Sequence, residues 1–92
     1  MDEVEELVRL ARDLAEEVVG LASELLSAGM EIAHVRGRYV AVAVELLADA
    51  EAQSLLAAGG DPDALTALAS VAGDLAGLRD TARAESSRSR ER

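Results

Sequence analysis

Two glycine-centred breaks, at Gly29 and at Gly59-Gly60-Asp61-Pro62, divide this chain into three long segments. Nothing else in the sequence limits the fold as much. Within the first segment Val4, Leu7, Ala11, Leu14, Val18, Leu21 and Leu25 recur at three- and four-residue spacing. That period belongs to a helix with one face turned to a core. It predicts a first helix from about Asp2 to Ala28, with acids crowding the turn where the helix dipole favours them. Gly29 suits the position just past a helix end. A second helix is expected from Met30 to Ala58, so close behind the first that the two are antiparallel neighbours. The run Leu25-Leu26-Ser27-Ala28-Gly29 is echoed by Leu55-Leu56-Ala57-Ala58-Gly59. One helix plus one loop produces that echo without a true repeat. Asp61 is a good N-cap and Pro62 a good first helical residue. They open a third helix reaching about Ala84. From Glu85 to Arg92 the apolar period stops, and the segment reads as a frayed or disordered tail. The expected fold class is all-α: one three-helix domain over residues 1–84, followed by the tail 85–92.

The core available to such a fold is thin. Phe and Trp are absent, Tyr39 is the only aromatic residue, and the apolar half of the chain is mostly Ala, Leu and Val. Alanine buries far less area than leucine or phenylalanine, so each core position stabilises less. A 92-residue domain of this kind either packs its helices closely on alanine or shares its core with a second chain or a ligand. The second helix favours sharing. At 100° per residue, Glu31, Arg38, Glu45 and Asp49 fall in one narrow stripe. Ile32, Val35, Tyr39, Val42 and Leu46 lie to one side of it, and Val40, Val44 and Leu47 to the other. A helix apolar on most of its circumference is buried on most of it. Two neighbours within one chain cannot cover that much, so a subunit interface is expected. A two-fold homodimer is the commonest closed form.

The net charge of −9 argues against nucleic acid. Cysteine is absent, so there is no disulfide framework or thiolate site to infer. Met1 is followed by Asp2, Glu3, Glu5 and Glu6 rather than by basic residues and an apolar run, and no secretory leader is read from it. The longest apolar run, Tyr39 to Val44, is too short to cross a bilayer. No nucleophile–base pair and no phosphate-cradling glycine loop is recognisable, so the chain is not expected to be an enzyme.

His34, the single histidine, is the residue best suited to hold a cofactor or metal. Its plainest reading is a half-exposed helix residue beside a polar neighbour. A second reading makes it the axial ligand of a planar tetrapyrrole, either a haem or a chlorophyll-like chlorin. A macrocycle lying against the helix needs small side chains over the adjoining turns. Gly37 and Ala41 supply them. A flat ligand would also fill volume that missing aromatics leave. The third helix carries its own small face, Thr66, Ser70, Gly73 and Gly77, where solvent-facing Glu and Arg would be ordinary. Glycines inside helices cost roughly 1 kcal/mol each relative to alanine, so Gly20, Gly37, Gly73 and Gly77 look intended. Val35, Tyr39, Val40, Val44, Gly73 and Gly77 are candidate walls. A third reading joins Glu31 and His34 into a Glu-x-x-His pair, with Glu24 near enough to assist. That pair is similar to the ligand motif of ferritin-like and designed di-metal bundles.

The residue alphabet is narrow: Lys, Asn, Phe, Trp and Cys never occur, and Ile32 and Gln53 occur once each. In this the chain resembles a de novo designed helical bundle. With His34 beside Gly37 and Ala41 it resembles designed tetrapyrrole-binding proteins. Absence of lysine departs from the usual Glu–Lys surface of designs, and a natural chain rich in Ala and Arg shares the bias. The resemblance implies a C2 homodimer with one His34 per chain, each ligating a macrocycle. If the two sites approach across the axis, the pair resembles the special pair of a photosynthetic reaction centre. The protein then positions the cofactor, and the optical or redox chemistry belongs to the macrocycle. A designed chain has no natural compartment and is expected to be soluble, and cytoplasmic when expressed. The alternative is a self-assembling structural oligomer with no cofactor.

Overall fold

The computed structural model describes Asp2 to Glu91 and is all-helical, with three helices and no strands among the described residues. Met1, where the expected domain begins, and Arg92, where the expected tail ends, lie outside them. Helix α1 spans Glu3–Ser27. The Asp2 carboxylate caps it by accepting from the Val4 N–H at 2.9 Å. Of its expected stripe Ala11, Leu14, Val18 and Leu25 are buried, joined by Ala15 and Ala22, while Val4, Leu7 and Leu21 are half-buried against the core. At its end Gly29 turns to φ +94°. The Met30 N–H then reaches the Leu25 carbonyl at 3.1 Å, and the Gly29 N–H reaches Leu26 at 3.0 Å. This double closure satisfies carbonyls that the helix end leaves free.

Helix α2 is three stretches in continuous succession: α-helical Ile32–Val35, a π-helical turn Arg36–Val40, and α-helical Ala41–Ala58. In the π turn the Ala41 N–H donates to the Arg36 carbonyl, five residues back. The sequence gives no warning of this turn, and it resets the helical wheel. The buried line becomes Val35, Tyr39, Ala43 and Ala50. Ile32, expected in the core, is 61 % exposed. The glycine closure of α1 is repeated at the end of α2, but with Gly60 at φ +98° as the left-handed residue. The Asp61 N–H bonds Leu56 at 3.2 Å and the Gly60 N–H bonds Ala57 at 3.0 Å. The sequence echo therefore reflects a shared way of stopping a helix, one residue out of register.

Helix α3 spans Pro62–Arg90. Asp61 caps it through the N–H groups of Asp63 and Ala64, with Pro62 in the first turn. The expected tail is a correction. Residues 85–90 continue the helix, because no glycine or proline interrupts it and its inner face still has partners. Ala82 and Ser86 are buried, Arg83 reaches Glu17 of α1 at 3.0 Å, and Arg88 and Arg90 suit the negative end of the dipole.

Half of the buried apolar residues are alanine, and the largest fully buried side chain is Tyr39. The helices therefore pack closely on small residues. The exposed large apolar side chains among the described residues all belong to α1 or α2, and none to α3. No helix among the described residues is long and apolar enough to cross a membrane.

Candidate functional site

His34, Tyr39 and Glu85 meet at the end of the bundle where α2 begins and α3 finishes. Nε2 of His34 lies 3.0 Å from Oε1 of Glu85, and the Tyr39 hydroxyl donates to the other carboxylate oxygen, Oε2. The π turn makes this possible. Positions five apart on a regular α-helix point about 140° away from each other, whereas a π turn stacks them. His34 and Tyr39, five apart, thus address one carboxylate. Their rings meet edge to face, with centroids 6.5 Å apart and an interplanar angle of 87°. The Arg38 guanidinium stands 5.8 Å from the centre of the Tyr39 ring, within range of a cation–π attraction.

The electrostatics follow from these contacts. The Tyr39 hydroxyl bond, and after it that of His34, hold the Glu85 carboxyl below its ordinary pKa against the opposing effect of burial. Burial, then the Glu85 carboxylate, push the Tyr39 phenol up. Glu85 is therefore an acceptor for both neighbours, and Nε2 of His34 is the nitrogen bearing a proton. A neutral imidazole in this network keeps its lone pair on Nδ1. Among the described residues no donor engages Nδ1. The side chain is 40 % exposed on one side of the pair and that of Glu85 only 15 %. His34 thus has the half-exposed position and polar neighbour of its plainest reading. That neighbour is Glu85, from the segment expected to be frayed, and not Glu31 or Glu24.

The other candidate residues are dispersed. Gly37 is exposed in the π turn with nothing within 4 Å of an added Cβ, and Ala41 is exposed one turn on. These two share the outward side of α2 with His34. Val44 is 60 % exposed and faces a groove against α1, about 15 Å along the helix from His34. Gly73 and Gly77 face outward from α3 with open space around them, about 18 and 12 Å along α3 from Glu85. Within one chain they do not wall a slot at His34. Val35 and Tyr39, taken as walls, are fully buried core, and Val40 is half-buried. Glu31 occupies the N-cap position of α2 without a capping bond. No group of three or more potential metal ligands forms among the described residues.

A second concave feature runs between α1 and α2 as two adjoining hollows of about 420 and 480 Å³, which share Arg12 and Glu16. Arg12 and Glu51 bridge it at 3.3 Å. Sequence reasoning anticipated an apolar excess on α2. It did not anticipate that α1 forms the opposite wall, although Val8, Val19 and the paired Arg9 and Arg12 stand outside the core stripe. Comparison of the chain with family models, with curated proteins and with solved structures finds no match.

Proposed function

We propose that this chain is a self-associating helical scaffold, a C2 homodimer that buries the outward faces of α1 and α2. The observation that supports it is the placement of the exposed large apolar side chains, all on those two helices. Single exposed apolar residues are ordinary, but several gathered along one groove mark a candidate interaction site, and Val19, Val44 and Leu55 line the hollows between α1 and α2. Val44, Leu55 and Leu56 are 60, 77 and 54 % exposed, the first and second lining the groove against α1. Light scattering over a wide range of concentration tests this. A dimer at working concentration is expected, and a monomer throughout overturns the reading.

A second reading gives the scaffold a cargo: His34 as axial ligand to the metal of a haem or chlorophyll-like chlorin. It is favoured by the Glu85 bond, because ligating histidines commonly give their other ring N–H to a carboxylate, and by the open space over Gly37. A metal at Nδ1 leaves Glu85 in place as the orienting partner, and a metal at Nε2 displaces it. Optical titration with haem and with a zinc chlorin separates these cases. His34→Ala is expected to abolish the ligated spectrum, and an unchanged spectrum removes the reading. Glu85→Gln weakens binding if the metal sits at Nδ1 and leaves it equal or tighter if the metal sits at Nε2.

A further inference from the structure

We infer that the second copy seats in the α1/α2 groove with its α1 antiparallel to the first, about a two-fold axis crossing α1 between Arg12 and Asp13. This rests on the self-association proposed above and specifies its face and register. The groove offers an apolar floor that includes Val8, Val19, Val44 and Leu55. Its α1 wall carries, in order, Glu5, Arg9, Arg12, Asp13 and Glu16; Glu5 falls opposite the uncharged Gly20 of a second copy in the register inferred here. From Arg9 on, two cations are followed by two anions, at mirrored distances from the midpoint. An antiparallel two-fold therefore sets Arg9 opposite Glu16 of the second copy and Arg12 opposite Asp13 of the second copy, each contact occurring twice by symmetry. A parallel pairing sets arginine against arginine instead.

An isologous contact needs such self-complementarity, because one surface must fit itself. It matters more here than in a neutral protein. The chain carries a net charge of −9, and α1 holds only two cations, Arg9 and Arg12. Both line the groove. Away from this register two acidic α1 faces repel. Arg12 already bonds Glu51 within its own chain. Its guanidinium has five donors, so it can take Asp13 of a second copy as well. Arg9 is exposed and makes no ion pair among the described residues. The stretch from Arg9 to Glu16 covers about 10 Å of axis, and the groove wall from Val4 to Val19 about 22 Å. The charged pairs therefore sit at its middle with apolar surface on either side.

Charge reversal tests the register. Sedimentation equilibrium and light scattering are run on the full chain, on Arg9→Glu, on Glu16→Arg and on the double variant, with circular dichroism confirming that each remains helical. Each single reversal is expected to weaken dimerisation by about tenfold or more, since it faces like charges across the axis. The double reversal restores the pairing and is expected to recover most of the affinity. An unreversed chain that is monomeric overturns both this inference and the self-association reading. A dimer indifferent to the single reversals overturns the face and leaves self-association standing. Single reversals that weaken the dimer without rescue in the double variant overturn the antiparallel register.

Discussion

Glu85 accepts from two side chains at once, and the consequence is unequal for its two partners. His34 is half-exposed and can turn to water. Tyr39 is fully buried, and Glu85 is the acceptor its hydroxyl uses. Glu85→Ala strands that hydroxyl and is expected to cost about 1–3 kcal/mol. Tyr39→Phe removes the donor together with its need and leaves Glu85 bonded to His34, so about 0.5–1.5 kcal/mol is expected. Urea unfolding of the two variants checks the order. The same carboxylate fixes an acid dependence. Its pKa lies below the ordinary 4.5 chiefly because of Tyr39. A group depressed in the folded state stabilises it above the unfolded pKa, and that contribution is lost as pH falls through the lowered value. Stability of the native chain should therefore fall as pH drops below 4.5, and the fall should be shallower in Tyr39→Phe. Equal slopes in paired titrations of the unfolding midpoint would contradict the assignment.

At the scale of elements, the sequence disclosed how the helices start and stop better than how they face. Gly29, Asp61 and Pro62 act through local backbone chemistry, so their roles were legible one residue at a time. The stripe of α1 was legible because an uninterrupted α-helix keeps its period. The π turn at Arg36–Val40 broke that logic for α2. It arises from tertiary demand: it lets both His34 and Tyr39 address a residue more than forty positions away. For the same reason the Glu85 segment looked like a tail. Its partners lie on other helices and leave no periodic mark in its own sequence. Ending the chain after Ala84 should therefore be costly, by roughly 2–3 kcal/mol, where a frayed tail would be lost without effect. Thermal or urea unfolding of residues 1–84 decides this. The small face of α3 makes the opposite prediction. Nothing lies within 4 Å of a Cβ added at Gly73 or Gly77. Each change to alanine should stabilise the chain by up to about 1 kcal/mol through helix propensity. Destabilisation by either would mean that a backbone packs closely on α3, on the side away from the proposed interface.

The whole molecule is long and thin, 49 × 22 × 15 Å with a radius of gyration of 14.5 Å. A compact chain of this length has a radius near 12 Å. Elongation raises surface relative to volume, and a core that is half alanine has little to set against it. A chain of this shape gains most from burying what it leaves exposed, and the exposed apolar surface lies on one pair of helices. Association then feeds directly into stability, because a partner that binds only the folded state shifts unfolding by mass action. The midpoint of thermal unfolding should rise with chain concentration. Val44→Arg is the sharper form of the experiment. Val44 is 60 % exposed, so a long charged side chain there is tolerated by the single chain and points into solvent. In the dimer it lies on the floor of the shared groove, where a long side chain fills the space of the second copy and its charge must be desolvated. The variant should unfold at a midpoint independent of concentration, equal to that of the native chain at high dilution. If both proteins show the same concentration dependence, the α1/α2 groove is not the surface that joins two copies.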